Sequence, residues 1–560
     1  MLECTGVRTP VALYLVALAV RLVALAAFPD PAYPDSFYYA EVARSLAAGR
    51  GFSVDFIWIF AEVGGRIPAD PVLPIPSNAH WMPLGSIVQV PFIWLLGPTG
   101  FAAGLPFALL GALAAPLTWA IARDAGARPP VSAAAGLLVA VPLLLTPFMA
   151  QPDNFGLFQP LVAGALWLGG RGLRGDARSF AGAGVLVGLA TLSRNDGVLV
   201  LGALGLVVLG DRWRARRSGG RRAPAIPWWS AVAGLALAAV LVAPWLLRQL
   251  AVFGSISPSS ASGKVLFIRS IDEWNSLTTP ASLDYLLDQG LGPFLASRVG
   301  GLVAAVGIFS VLAAGVVLVP FMLVGAWRRR RSPDFAPYLV YAGLLFGFSG
   351  LVSAVHVPGG TFIHSAVALV PHASILAVEG IAAAVGWVAA RRRSWDAAVA
   401  GRVFIGAAVG FAGLTAAGAT VATHATWSER RSDFRLVGEA LRAAGAPASD
   451  RVMSIDAGGT RYWTGHGGVV LVNDPVETIE EVARAYGIRW LVLQRADSVA
   501  AMKPVLDGGT RPPWIGPPVA TRPTVARPGR EPPPEGALDL GVYPVCTEAA
   551  DARCAGEGGS

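Results

Sequence analysis

The sequence predicts a mainly α, polytopic helical membrane protein with a large first outer loop and a small C-terminal extracytoplasmic α/β domain. Three observations predict it. Apolar residues come in long runs, in a chain of 560 residues that is 54% hydrophobic and 14% charged with a mean hydropathy of +0.55. That is too apolar for a soluble globular protein. Basic residues gather in short loops between the runs, and the pattern changes to short alternating strands and helices after about residue 423.

A spanning helix needs roughly 20 mainly apolar residues, because the hydrocarbon core is about 30 Å thick and each backbone polar group in it must be paired internally. The first such run lies near 11 to 28. Arg21 within it argues for a retained span rather than a cleaved signal segment, whose apolar region avoids charge. The net charge of +8 does not point to nucleic acid, because the arginines mark loops: Arg123 and Arg128; Arg171, Arg174 and Arg178; Arg212 to Arg222; Arg328 to Arg331; Arg391 to Arg393. Such clusters mark the cytoplasmic side. If all five are cytoplasmic, an even number of spans must separate successive clusters. Segments near 101 to 122, 132 to 148, 157 to 170, 179 to 193, 197 to 210, 229 to 248, 299 to 326, 336 to 356, 365 to 389 and 401 to 422 satisfy that parity. The total is about eleven spans, with the C-terminus outside.

This topology divides the chain into a transmembrane domain over 1–422 with its outer loop at 29–100, an extracytoplasmic α/β domain over 423–506, and a Pro/Gly-rich tail over 507–560. In the second part, "SDFRLVGEALRAAG" and "PVETIEEVARAYGI" have helical periodicity, and "RVMSI", "GVVLV" and "RWLVL" read as strands. Gly458 and Gly459 read as a plain turn. Of three cysteines, Cys4 is placed inside, while Cys546 and Cys554 are outside and close enough to bridge or to stay free. They give no zinc spacing, so no cofactor is implied and a divalent metal is not supported.

The loop after the first span opens with "YPDSFYYAEVARSLAAG". Phe37, Ala40, Val42, Ala43 and Leu46 fall where a helix lying on a membrane surface needs apolar positions. Asp35 at its start reads either as a helix N-cap or as a functional carboxylate at headgroup depth. Further on, "HWMPLGSIVQVPFIWLLG", "LLLTPFMAQPDNFGLF" and "GLATLSRNDGVLVL" place His80, Asp153 and Arg194 at outer helix ends as well.

Together these stretches resemble the membrane-embedded glycosyltransferases that use polyprenyl-phosphate sugars, the GT-C superfamily group that holds the protein O-mannosyltransferases and the lipid A aminoarabinose transferases (glycosyltransferase family 39-like). In that family the first outer loop begins with Asp-Glu followed by a Tyr-Ala-Glu-like run, and its aspartate is catalytic. The resemblance carries over Asp35, Tyr39 and Glu41. Ser36 stands where the family has its glutamate. "HWMPLG" is similar to the proline-leucine motif that ends the loop, at His80, Pro83 and Leu84, without the lysine that often precedes it. Asp153 matches an aspartate common in the turn between the third and fourth spans, and Arg194 a basic residue of the next hairpin. The likeness covers roughly residues 10 to 260.

The resemblance implies transfer of a hexose or pentose from a polyprenyl-phosphate donor to a hydroxyl on an extracytoplasmic lipid, glycan or protein acceptor. In that reading Asp35 is the base of an inverting reaction and Asp153 is also catalytic. Tyr39, Glu41, His80, Arg194 and Arg248 bind substrate, with an arginine fork suited to the donor phosphate. Arg248 reads equally as an arginine that snorkels to the headgroups. Arg21, costly inside a span, is expected to meet a buried carboxylate or the phosphate. His356, His364 and His372 read as satisfied or substrate-contacting rather than as a metal site. The alternative function is a multispan lipid or glycolipid transporter or flippase, which would be expected to show internal repeats and midplane polar groups; the sequence shows no convincing repeat and, apart from Arg21, its polar constellation lies at one face. A scaffold with an external sensor domain is the third option. An oligosaccharyltransferase is disfavoured by the missing Trp-Trp-Asp motif.

Overall fold

The computed structural model describes residues 5–219, 221–288, 290–353, 361–392, 394–525 and 533–546. Cys4, Cys554 and His356 lie outside them. Cys546 is disulfide-bonded. The chain forms two compact units. Unit 1 comprises 1–31, 81–248 and 295–424, and unit 2 comprises 32–80, 249–294 and 425–560.

Unit 1 is helical throughout its described residues. Among those residues, the helices long and apolar enough to cross a membrane, by length and composition, are Arg8–Ala27, Gly100–Asp124, Trp228–Phe253, Leu291–Ala313, Phe362–Ala389 and Ala397–Ala443. Trp228–Phe253, Leu291–Ala313 and Ala397–Ala443 each have residues in both units. The protein is a multi-pass membrane protein. Further helices, Pro129–Ala140, Phe155–Leu173, Ala177–Ser193, Val198–Arg217 and Ala336–Gly347, fill the other expected segments.

Two expected spans are corrected. The one placed at 132 to 148 stops at Ala140, and residues Leu143–Phe148 form a 3₁₀ turn instead. Pro142 clashes with continued helix and Pro147 lacks the N–H that helix would need, while Leu143 sits at φ 48°. The one placed at 299 to 326 is broken into Leu291–Ile308 with a π turn at Phe309–Ala313, and Val319–Arg329. The break falls at Gly315 and Val316, both at positive φ.

Helices in lipid gain little from hydrophobicity and associate by close packing of small residues. Helices Val319–Arg329 and Val370–Ala389 lie along each other in this way. A Cβ on Gly380 would stand 1.9 Å from the carbonyl oxygen of Phe321. Arg21 is buried in unit 1 and meets no carboxylate among the described residues, so of its two expected partners the carboxylate is not found. It donates to the carbonyls of Ala17 at 3.1 Å and Ala140 at 3.4 Å. Ala140 ends a helix, so the guanidinium meets the negative end of its dipole.

Unit 2 is α/β. Its six-stranded sheet has the order β2-β5-β4-β6-β8-β7, where β2 is Phe56–Ile57, β4 Arg451–Ser454, β5 Gly468–Val470, β6 Ile488–Gln494, β7 Ala520–Pro523 and β8 Leu538–Pro544; β1 Ser53–Val54 and β3 Ile75–Pro76 form a separate pair. β2, β5, β4 and β6 are parallel, and β8 and β7 are antiparallel to their neighbours. The first loop of the sequence therefore supplies an edge strand to the C-terminal sheet. The expected strands at 451–455, 468–472 and 489–493 are present, as is the helix between the last two, Val476–Ala485. The tail supplies β7, within the stretch 507–536 whose Pro and Gly content reads as an irregular linker, and β8 just after that stretch. Its prolines at 512, 517 and 518 precede β7, and Pro523 ends it on the sheet edge, where a missing N–H is tolerated.

Helix Pro34–Ala47 is not a surface helix. Phe37, Ala40, Val42 and Ala43 are buried inside unit 2. Phe37 packs edge-on against Phe434 at 5.7 Å and against Tyr462 at 5.4 Å. Gly458 and Gly459 are not a turn but the start of helix Ala457–Thr464, where a Cβ on Gly459 would reach within 2.4 Å of Phe434 and 2.9 Å of Phe37.

The glycine contact in unit 1 gives a testable pair. Gly380→Ala should destabilise the protein by about 1–3 kcal/mol, because backbone must move to admit the methyl. Gly386→Ala, on the same helix with nothing within 4 Å, should leave it unchanged or slightly more stable. Thermal midpoints of the purified full-length variants check this. Equal midpoints for the two would show that the helices do not depend on this approach.

Candidate active site

The sequence-predicted residues divide between the units: Asp35, Tyr39, Glu41 and His80 belong to unit 2, and Asp153, Arg194 and Arg248 to unit 1.

In unit 2, Pro34 opens the helix at its first position, where a missing N–H costs nothing. The N-cap is Tyr33, and the capping hydroxyl is that of Ser36. Its Oγ accepts from the backbone N–H of Ala32 at 3.0 Å and of Tyr33 at 3.1 Å, and donates to the Tyr33 carbonyl at 2.7 Å. Asp35 is therefore not the N-cap. It is a half-buried carboxylate in the first helical turn, next to the positive end of the dipole. Ser36, the departure from the family pattern, does the capping.

Tyr39 is buried edge-on to Tyr38, with ring centroids 6.4 Å apart. Glu41 accepts from Arg44 at 2.8 Å and lies 4.0 Å from Arg461, which also pairs with Asp55. These pairs tie helix Pro34–Ala47 to helix Ala457–Thr464. His80 Nδ1 is 2.7 Å from the hydroxyl of Ser259, which caps helix Ser260–Lys264, and its ring lies 5.9 Å from Trp274.

A network that sequence reasoning missed lies beneath Asp35's helix. Glu62 is buried; its Oε1 accepts from the Tyr38 hydroxyl at 2.6 Å and its Oε2 from the Trp58 N–H at 3.1 Å. The Tyr38 oxygen in turn accepts from the Asn78 N–H at 2.7 Å, and Gln249 donates to the Asn78 carbonyl at 2.7 Å. Burial, partly opposed by these hydrogen bonds, pushes the Glu62 carboxyl up to about 7. An acid ending the apolar run "FIWIFAE" was the available signal.

In unit 1, Asp153 is fully buried before helix Phe155–Leu173. One carboxylate oxygen accepts from the Asn154 N–H at 2.5 Å, and the other lies 3.2 Å from His364 Nδ1. That nitrogen is also 3.2 Å from the Asn154 side-chain oxygen, and the imidazole packs on Phe155 with centroids 4.3 Å apart. The neighbouring Ser365 donates to Asp196, whose other oxygen holds Arg194 Nε at 2.9 Å. Residues 364 and 365 thus link Asp153 with Arg194. Arg248 lies over the Trp245 ring at 5.0 Å. His372 is elsewhere, stacked on Tyr338 at 5.1 Å with neither ring nitrogen hydrogen-bonded.

Residues 81–247 match the family model described as dolichyl-phosphate-mannose-protein mannosyltransferase. No curated protein matches the chain. Among solved structures, ArnT from Cupriavidus metallidurans bound to undecaprenyl phosphate is similar over 95% of this chain and 97% of its own, at 15% identity and a TM-score of 0.54. The Archaeoglobus fulgidus oligosaccharyltransferase tethered with an acceptor peptide is similar over 87% of this chain and 69% of its own, at 13% identity and a TM-score of 0.52.

The chain shares its fold with these two structures. At such identities the likeness is one of architecture. The matched segment 81–247 carries Asp153 and Arg194, whereas Asp35 precedes it.

Glu62 makes the stability of the protein depend on pH. Its carboxyl titrates above the ordinary value of 4.5, at about 7, so the native state holds a proton that the unfolded state releases. The contribution is fully present below about pH 4.5 and is lost as pH rises through about 7, a change on the order of 3 kcal/mol. Glu62→Gln should flatten that dependence, so that its thermal midpoint gains on the parent as pH rises from 5 to 7.5. Parallel curves would mean that Glu62 is ionised throughout.

Proposed function

We propose that the protein is a membrane glycosyltransferase that moves a hexose or pentose from a polyprenyl-phosphate donor to an extracytoplasmic acceptor hydroxyl, with inversion. The observation that carries this is the cap of helix Pro34–Ala47. Ser36 ties down the chain entering the helix, so Asp35 is not spent as the N-cap and a half-buried carboxylate stands in the first turn at the positive end of the dipole. The matched mannosyltransferase segment and the shared fold with ArnT, solved with undecaprenyl phosphate, support the donor class.

In this reading the Asp35 carboxylate takes the acceptor's hydroxyl proton as the oxygen attacks the anomeric carbon. The bond from that carbon to the phosphate oxygen breaks, and the polyprenyl phosphate leaves with the electron pair. Its charge needs fixed cationic partners. Arg194 is the first, oriented through its Nε by Asp196, and Arg248 the second. Asp153 acts with His364 as a hydrogen-bonded acid–imidazole pair, in which the carboxylate fixes the ring. Tyr39, Glu41 and His80 shape the first-loop side of the substrate site; Glu41 does so through the helix it anchors. The placing of the active face and unit 2 on the extracytoplasmic side is supported by the arginine loops.

Asp35→Asn tests the assignment. Asn keeps the size, and the cap on Ser36 does not involve it, so folding should be unchanged while turnover falls by on the order of 10²-fold or more. Initial rates of label transfer from a polyprenyl-phosphate sugar, alongside thermal midpoints, check both halves. A well-folded variant with the parental rate would remove Asp35 from the chemistry.

A further inference from the structure

Unit 1 contains a cavity of about 660 Å³ at the start of helix Pro129–Ala140. Its charged lining is Arg128, Arg328, Arg329 and Glu379, and its apolar lining includes Val131, Ala382 and Ala383. Arg329 and Glu379 neutralise each other through two hydrogen bonds, of 2.8 Å and 2.5 Å. Arg128 and Arg328 pair with no carboxylate among the described residues, so the cavity holds two uncompensated guanidinium groups. Arg128 also stands at the N-cap of helix Pro129–Ala140. Pro129 and Pro130 have no N–H, so the first donor of that helix belongs to Val131, which faces the same cavity.

Two free planar cations, a positive helix end and an apolar wall are the chemistry of a phosphate with hydrocarbon attached. The volume lies in the range of small-molecule sites, roughly 300–1,000 Å³. All three arginines belong to the loop clusters that mark one membrane face. Helix Pro129–Ala140 starts at the cavity, and the chain reaches Asp153 only beyond that helix's other end. The cavity is therefore separate from the proposed catalytic residues, and its role does not depend on the reaction they perform.

We propose that this cavity binds a phosphate-bearing anion at the arginine-rich face, the head group of an anionic phospholipid being the source that the apolar wall favours. The lipid would fasten the loop after helix Ala114–Asp124 to the end of helix Val319–Arg329 and to the C-terminal half of helix Val370–Ala389, and so stabilise unit 1.

Full-length protein in phosphatidylcholine nanodiscs, with phosphatidylglycerol added in steps, tests this by thermal midpoint and by native mass spectrometry of retained lipid. The parent should show a saturable rise in midpoint and retain phosphatidylglycerol. Arg128→Gln with Arg328→Gln should bind roughly 30-fold more weakly, about fivefold per arginine. Arg330→Gln with Arg331→Gln, outside the cavity, should stay within a few fold of the parent. Val131→Trp, which keeps both arginines but fills the cavity, should also lose the retained lipid, and it serves where the arginine variant does not fold. Inorganic phosphate added to phosphatidylcholine discs distinguishes the source: a matching, Arg128- and Arg328-dependent rise would make soluble phosphate the occupant of the same site. No response of the parent to either anion, or equal loss from the two arginine pairs, would overturn the site.

Discussion

The parallel pairing of Phe56–Ile57 with Gly468–Val470 is the contact on which the rest of unit 2 depends. Two residues from the first loop, near the start of the chain, add a strand to a sheet built from its C-terminal part. Each parallel strand must be brought in by a long connection, and here the connection is most of the transmembrane chain. With β2 in place, helix Pro34–Ala47 is held on the Ala457–Thr464 helix by the Phe37, Phe434 and Tyr462 rings and by the Glu41, Arg44 and Arg461 charges. Asp35 is thereby fixed on a folded support rather than on a loose loop. The catalytic role proposed for it needs such a support, since small misplacements of a reacting group are costly.

Glu62 belongs to the same support. Its carboxyl, the Tyr38 hydroxyl and the Asn78 backbone form one chain of hydrogen bonds beneath the helix, and Gln249 joins it at the start of the next hydrophilic segment. In unit 1 a second chain runs from Asp153 through His364 and Ser365 to Asp196 and Arg194. Each unit therefore positions its own candidate residues through a buried polar network, whose members are costly to remove singly because the partners left behind lose their hydrogen bonds.

Much of the helical framework was legible, because apolar runs and arginine loops follow from the bilayer's demand for internal hydrogen bonding. The strands at Arg451–Ser454, Gly468–Val470 and Ile488–Gln494 were legible from their apolar, β-branched character. What was not legible came from long-range contact. A two-residue strand such as Phe56–Ile57 has no periodicity to detect, and Leu538–Pro544 follows a proline-rich stretch that reads as irregular. The apolar face of Pro34–Ala47 looks the same whether it meets lipid or protein, and only the structure shows Phe434 and Tyr462 against it. The motif positions Asp153 and Arg194 were singled out separately, but the link through His364 and Ser365 joins residues some 170 to 210 positions apart, which spacing alone does not reveal. Pro142, by contrast, was a readable break in the third span.

Sugar transfer itself is the most direct measurement. Full-length protein reconstituted in liposomes with a polyprenyl-phosphate donor carrying a labelled sugar, and supplied with cell-envelope lipids and glycans as acceptors, should release polyprenyl phosphate and move the label into the acceptor fraction. Label that remains on the donor, while the donor itself crosses the bilayer in the presence of the protein, would contradict a transferase and identify a flippase.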